Sequence, residues 1–180
     1  GHGFTTNGGD QVLETRTYNS QHEPLTVMGA NGRTAHYQYN AAGELTRYTD
    51  PTGHATALTY DSRDYLQSVQ GPVSGDKCTF AHDNLGRIIA ITDPANSTVR
   101  YTYDVADRLT SETYPDGTSS YSTYNLLDLA SYTDRLGQKT QYTYDADREL
   151  IKTKDPMNNT IQMGYNLAGK IGRASCRETV

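Results

Sequence analysis

Apolar and polar positions alternate with a period of two along most of this chain, and the alternation restarts about every ten residues. In Val99-Arg100-Tyr101-Thr102-Tyr103, Val99 and both tyrosines share one face, while Arg100 and Thr102 share the other. Thr140 to Tyr144 and Cys78 to His82 read the same way. A period of two is the strand pattern, and no stretch shows the 3.6-residue period of an amphipathic helix. The runs, about six to seven residues or roughly 20 Å each, end in turn signals. They predict an all-β chain, an antiparallel meander of about 15 short strands.

The restarts are themselves periodic. Tyrosine followed by Asp or Asn occurs at Tyr18, Tyr39, Tyr60, Tyr103, Tyr124, Tyr144 and Tyr165, and His82-Asp83 fills the one gap. Successive spacings are 21, 21, 22, 21, 21, 20 and 21 residues, so the chain is a repeat array. Six residues after the anchor stands Leu45, Leu66, Ile88, Leu109, Leu150 or Ile171. Eleven residues after it comes a second punctuation: Asp50-Pro51, Gly71-Pro72, Asp93-Pro94, Tyr114-Pro115 or Asp155-Pro156.

Each punctuation predicts a turn for a physical reason. In Asn40-Ala41-Ala42-Gly43 the Asn oxygen can accept from the backbone two residues on, and Gly43 can adopt the left-handed conformation that returns the chain. Asp61, Asp83, Asp104 and Asp145 open turns of the same kind, with Gly86 closing the one at Asp83 and Asp64, Asp107 and Asp128 in place of glycine elsewhere. Asp50-Pro51-Thr52-Gly53 adds a proline that pre-sets φ. Asp93-Pro94 and Asp155-Pro156 close on Asn, and Tyr114-Pro115-Asp116-Gly117 keeps both Pro and Gly. Each repeat unit is thus two antiparallel strands and two tight turns.

Composition sharpens the picture. Leu, Ile, Val and Phe total 28 of 180 residues, too few for a Leu-rich bundle, whereas 15 Tyr and 25 Thr favour strands. Lys+Arg (16) are outnumbered by Asp+Glu (21), which argues against a nucleic-acid partner. No apolar run approaches the roughly 18–20 residues of a membrane helix, and no signal peptide is visible. The first residue, Gly1, is not Met, so an interior piece of a longer chain is expected.

The combination Tyr-x-Tyr-Asp-x-x-Gly-x-Leu followed by Asp-Pro-x-Gly resembles the YD repeat of the RHS (rearrangement hot spot) family. Its members include bacterial polymorphic toxins, shell components of insecticidal toxin complexes and animal teneurins. The resemblance implies a curved, spiralling β-sheet that forms part of a hollow shell around a C-terminal toxin or effector polypeptide. It also implies a non-catalytic, secreted or cell-surface bacterial protein whose partners are the flanking repeats and the enclosed polypeptide. On this reading residues 1–17 are a partial repeat and residues 18–171 hold seven to eight repeats. Residues 172–180 break the pattern, resemble a translated sequencing adapter and are expected to stay outside the sheet. The alternative is a surface adhesion or carbohydrate-binding module, with a glycan on the tyrosine rows.

The remaining chemistry is sparse. The Asp61, Asp83, Asp104 and Asp145 column falls roughly 10 Å apart, too far for the six to eight oxygens that Ca²⁺ takes from one place. His2, His22, His36, His54 and His82 show no metal-ligand spacing, and His82 reads as a packed aromatic in an anchor position. Cys78 and Cys176 cannot build a disulfide framework. No phosphate loop, dinucleotide motif or nucleophile elbow occurs. Family shells end in an autocleaving segment marked by Asp-Pro-x-Gly, but Asp50 to Gly53 falls on the repeat schedule and reads as a turn. No cofactor, metal or catalytic residue is expected.

Overall fold

The computed structural model describes residues 2–7, 11–165 and 171–177, with side chains over 13–165. Every regular element among them is a strand. The chain divides into two compact units after Ser97. The first holds β1 (His2–Asn7), β2 (Gln11–Tyr18), β3 (Pro24–Gly29), β4 (Thr34–Tyr39), β5 (Leu45–Thr49), β6 (Ala55–Tyr60), β7 (Leu66–Gln70), β8 (Lys77–His82) and β9 (Ile88–Thr92). The second holds β10 (Thr98–Tyr103), β11 (Leu109–Thr113), β12 (Ser119–Asn125), β13 (Asp128–Thr133), β14 (Lys139–Tyr144), β15 (Leu150–Lys154), β16 (Thr160–Tyr165) and β17 (Ile171–Arg177). Within each unit every strand pairs antiparallel with the next in chain order.

The expected antiparallel meander of about 15 short strands is present, with seventeen strands among the described residues. One expectation changes. The off-pattern tail does join the sheet over Ile171–Arg177, which pairs with β16 from Thr160↔Arg177 to Tyr165↔Ile171. The reason is that strand pairing is made by backbone N–H and C=O groups, so the edge of β16 can template an extended segment without side-chain alternation. Residues 178–180 lie outside the described part.

The turns explain the strand length. Each connection between Tyr18 and Thr160 contains one residue of positive φ, from His22 (65°) through Gly43 (86°) and Gly53 (94°) to Asn158 (69°). In the turn after β4, Gly43 N–H donates to Asn40 O at 3.1 Å and Asn40 N–H to Glu44 O at 3.0 Å. This is a type I turn followed by a left-handed residue, the usual three-residue hairpin solution. Asp64 and Asp107 hold the left-handed place of glycine, at φ 64° and 60°. Asp128 does not, contrary to its reading as a glycine substitute. It opens β13 opposite Asn125, and Leu126 takes the positive φ of 50° in a shortened loop.

The odd repeat length has a cause in the register. Hairpins that turn just after an anchor slip by one residue at the anchor: between Gln38 and Tyr39, Thr59 and Tyr60, Thr102 and Tyr103, and Thr143 and Tyr144. The intervening hairpins, such as Thr26↔His36, Val27↔Ala35 and Met28↔Thr34, run without a slip. A bulge sets two residues against one, and the extra residue, Thr46, lets Leu45 and Tyr48, three places apart, sit opposite Tyr39 and Tyr37 on one face. Paired positions also step along the strands. Thr17 leads through its partner Thr26 to His36, whereas the residue equivalent to Thr17 in the next repeat is Gln38. His36 leads through Thr49 to Ala55, whereas its repeat equivalent is Ala57. Each repeat is therefore displaced by two positions, roughly 7 Å along the strand.

One face of each unit collects the aromatic and aliphatic side chains, including Tyr37 opposite Tyr48 and Leu58 opposite Val69. The other collects Thr, Ser, Ala and Gln, such as Thr59 opposite Ser68. Among the described residues no large side chain is fully enclosed; the buried positions are Ala35, Ala90, Ser68, Ser120 and Ser131. Cohesion therefore comes from ladders and neighbouring-strand contacts rather than from a conventional core.

Candidate functional surface

The Asx residues that open the turns use their side chains fully. Asn40 Oδ1 accepts from the N–H groups of Ala42 and Glu44 (both 3.0 Å), and Asp61 Oδ1 from Arg63 (2.9 Å) and Tyr65 (3.1 Å). Asp83, Asp93, Asp104 and Asp145 accept in the same way from residues two and four places on. The other side-chain atom then selects a complement four residues on. Asn40 Nδ2 donates to Glu44 (2.6 Å), whereas Asp83 and Asp104 accept from Arg87 and Arg108 at 2.7 and 2.8 Å. This second contact was not foreseen from sequence, although the complementary charge four residues on is its visible signal. Asp155 accepts twice from Asn159 instead.

The anchor tyrosines do two jobs. Their rings lie on the aromatic face, and the hydroxyls of Tyr60, Tyr124 and Tyr165 each donate at 2.9 Å to a carbonyl of the preceding repeat, that of Leu45, Leu109 and Leu150. That carbonyl sits at the bulge of the preceding hairpin, where the ladder to the next strand has stopped: β5 and β6 pair only over Arg47 to Thr49. The hydroxyl replaces the missing ladder bond. Desolvation first, then the charge of Glu44, pushes the Tyr60 hydroxyl up, and desolvation does the same at Tyr39 and Tyr144. His82 holds its anchor position by stacking on Tyr65, with ring centroids 5.2 Å apart.

Arginines tie neighbouring turns. Arg63 donates to Asp83 O (2.8 Å), Arg108 to Leu126 O, Arg148 to the Asp128 carboxylate (2.7 Å) and Arg135 to the Asp116 carboxylate. Arg108 and Arg135 also lie over the rings of Tyr124 and Tyr114, 4.2 and 4.0 Å from the centroids.

One trio has the composition of a catalytic relay. Thr52 Oγ1 lies 2.6 Å from His54 Nδ1, which lies 3.3 Å from Asp50 Oδ2. A relay needs the nucleophile on one ring nitrogen and the carboxylate on the other. Here both contacts fall on Nδ1, and the Thr52 hydroxyl also contacts Asp50 Oδ1 at 2.7 Å. The hydrogen bond from Thr52, foremost, holds the Asp50 carboxyl down at about 2. The trio is a turn cap. Among the described residues no group of three His, Cys, Asp or Glu side chains could hold a metal ion. A concavity of about 580 Å³ opens between the turns at 125–128 and 145–148, lined by Leu126, Tyr142, Tyr144 and the Asp128–Arg148 pair.

Comparison with known proteins agrees with this arrangement. The model of the family described as RHS Repeat matches residues 18–55, 39–74, 82–119 and 124–160. The fold matches a segment of the Photorhabdus luminescens Tc holotoxin pore, in a form mutated in TccC3, with a TM-score of 0.64 and 19% identity over 93% of this chain and 10% of that one. It also matches crystal structures of TcdB2-TccC3-TEV and TcdB2-TccC3-Cdc42, each at a TM-score of 0.54, with 15% and 14% identity over 92% of this chain and 12% of theirs. The chain thus spans about a tenth of the length of these structures. No curated protein sequence matches it.

Proposed function

Because the chain belongs to the RHS repeat family, we propose that it is a structural, non-catalytic wall segment of a hollow shell that encloses a C-terminal toxin or effector polypeptide in an exported bacterial protein. The observation that carries this reading is the tyrosine clip. Each such hydroxyl satisfies a carbonyl of the preceding repeat, so repeats are bonded serially. Cohesion of this kind needs no enclosed apolar core, as in other arrays stabilised by nearest-neighbour contacts. Such a sheet can be extended by adding units, which is what a wall requires. Its height is the strand length, set by the Asx turns.

The test uses the full-length protein that contains this segment. In the intact protein, the region C-terminal to the repeats should resist a broad-specificity protease under native conditions. Replacing Tyr60 and Tyr124 by Ala should make it cleavable without altering its own activity once released. Rapid cleavage of that region in the intact protein would overturn the enclosure reading.

A further inference from the structure

The six strand-borne Lys and Arg residues within 13–165 other than Arg16 all fall on the threonine faces of their units. Following the register, Arg47 and Lys77 in the first unit share that face with Thr59, and Arg100, Lys139, Lys152 and Lys154 in the second share it with Thr133 and Gln141. Acids are almost missing there. The described strand acids are Glu14 and Glu112, on the tyrosine face, and Asp128, which is held by Arg148. The other described Asp and Glu residues sit in or beside turns, where they cap hairpins. Within a chain of net charge −5, each unit therefore presents a sheet face whose charges are basic, bounded at both strand ends by acidic rims.

The charge is densest over β14 and β15. Gln141 pairs with Lys154, Thr143 with Lys152, and Lys139 lies two residues from Gln141 on the same strand face. Three lysines thus stand on one face of two neighbouring strands, which lie about 5 Å apart, interleaved with Gln and Thr. Among the described residues none of the three has an acidic partner within salt-bridge distance. The nearby Asp155 carboxylate is engaged by Asn159.

We propose that the polar face of β14 and β15 is a docking surface for an acidic stretch of polypeptide. Lys139, Lys152 and Lys154 would pair with its carboxylates, while Gln141 and Thr143 hydrogen-bond its backbone. Charge complementarity names the occupant's sign, and the rims name its kind. The basic patch is one strand long, roughly 20 Å, and a continuous phosphate backbone laid across it would run onto the acids of the turns, Asp134 and Asp155 at one end and Asp145 and Asp147 at the other. A short acidic run of a polypeptide fits between them. This inference concerns the face alone and does not require that the face line an enclosed space.

The experiment uses the 180-residue chain and a fluorescein-labelled N-acetyl hexaglutamate peptide, read by anisotropy at about 20 mM NaCl, where surface charge is weakly screened. Saturable binding is expected. It should weaken at least about tenfold in Lys139→Gln/Lys152→Gln/Lys154→Gln and on raising NaCl to about 200 mM, and stay within about twofold in Lys77→Gln. Carbodiimide coupling of the peptide to the unaltered protein, mapped by mass spectrometry, should find Lys139, Lys152 or Lys154 even if the triple variant does not fold. Failure to bind, or coupling confined to other lysines, overturns the proposal. Equal binding of a thymidine hexanucleotide overturns the assignment to polypeptide.

Discussion

At the scale of single residues, the tyrosine hydroxyl and the left-handed turn residue make separable contributions. Tyr60→Phe keeps the ring and removes the donor to Leu45 O, so it should cost about 0.5–1.5 kcal/mol in urea unfolding, the net worth of one hydrogen bond. Tyr121, exposed on the polar face, should tolerate the same change within about 0.5 kcal/mol. Glycines divide as well. An added Cβ at Gly53 meets nothing within 4 Å, whereas at Gly86 it would lie 2.5 Å from the Tyr65 ring that stacks on His82. Both have positive φ, near 94° and 82°. Gly53→Ala should therefore cost only the backbone penalty of about 1–2 kcal/mol, and Gly86→Ala measurably more. Equal costs would show that Tyr65 moves aside freely. The turn carboxylates set the pH dependence. Asp50 is held at about 2, mainly by the Thr52 hydroxyl, and Asp104 is lowered by Arg108. A carboxyl depressed on folding stabilises above its unfolded value near 4 and loses that contribution as pH falls through its folded value. The urea midpoint should thus drop between about pH 4 and pH 2, and Asp50→Asn should flatten the drop. An unchanged acid slope in that variant would contradict the assignment.

At the scale of elements, the hairpins were readable because their signals are local. The recurring Tyr-Asx step and the Asp-Pro step halfway between mark the turns, and alternation marks the strands between them. What could not be read was whatever depends on register. The repeat length is odd, but only the pairing of Tyr39 with Leu45 and of Gln38 with Arg47 reveals a bulge as the reason. The Tyr60 ring could be placed on a face from sequence, yet its hydroxyl partner, the Leu45 carbonyl of the preceding repeat, depends on where the ladder stops. The arginine straps join turns of neighbouring repeats, as Arg63 joins Asp83 and Arg148 joins Asp128, and no local motif records so long a reach. At the tail, Ile171 to Arg177 lacks alternation, and backbone pairing needs none. Of the candidate chemistry, the absence of a recognisable motif was visible, but the Asp50-Thr52-His54 trio gained meaning only from which ring nitrogen it uses. The bulge also makes a prediction. Deleting Gln67, the unpaired residue between Leu66 and Ser68, would leave Leu66 opposite Tyr60 and Ser68 opposite Thr59, because neighbouring strand residues face opposite sides. The bulge is then removed with every face kept, so a cooperative urea transition is expected to survive, and its loss would show that the sheet needs the extra twist of the bulge.

At the scale of the molecule, the near absence of enclosed side chains among the described residues makes stability a sum over neighbouring repeats. Each terminal strand pairs within its unit on one side, β1 with β2 and β17 with β16. Strands whose outer backbone groups are not taken up recruit other strands. The isolated chain should therefore self-associate as its concentration rises, while keeping a β-type circular dichroism spectrum. Light scattering on size exclusion at about 100 µM would show it, and a stable monomer of 19.9 kDa there would mean that the edges are protected.

The clip that reaches back from Tyr60 to Leu45 carries a genetic consequence. The repeats that begin at Tyr60, Tyr124 and Tyr165 supply their donors in the same phase, fifteen residues after the acceptor. A crossover joining two such repeats at equivalent codons therefore rebuilds the clip across the new junction. Loss of 21 codons, Asn40 to Tyr60, joins Tyr39 directly to Asp61 and restores an anchor followed by its capping Asp. Loss of 20 codons, Ala41 to Tyr60, leaves Asn40 in front of Asp61 and adds one residue to the turn at the junction, while later donors keep their acceptors. In thermal melts the second deletion should melt lower than the first. Such a coding sequence can lengthen or shorten by unequal exchange and still encode a continuous sheet.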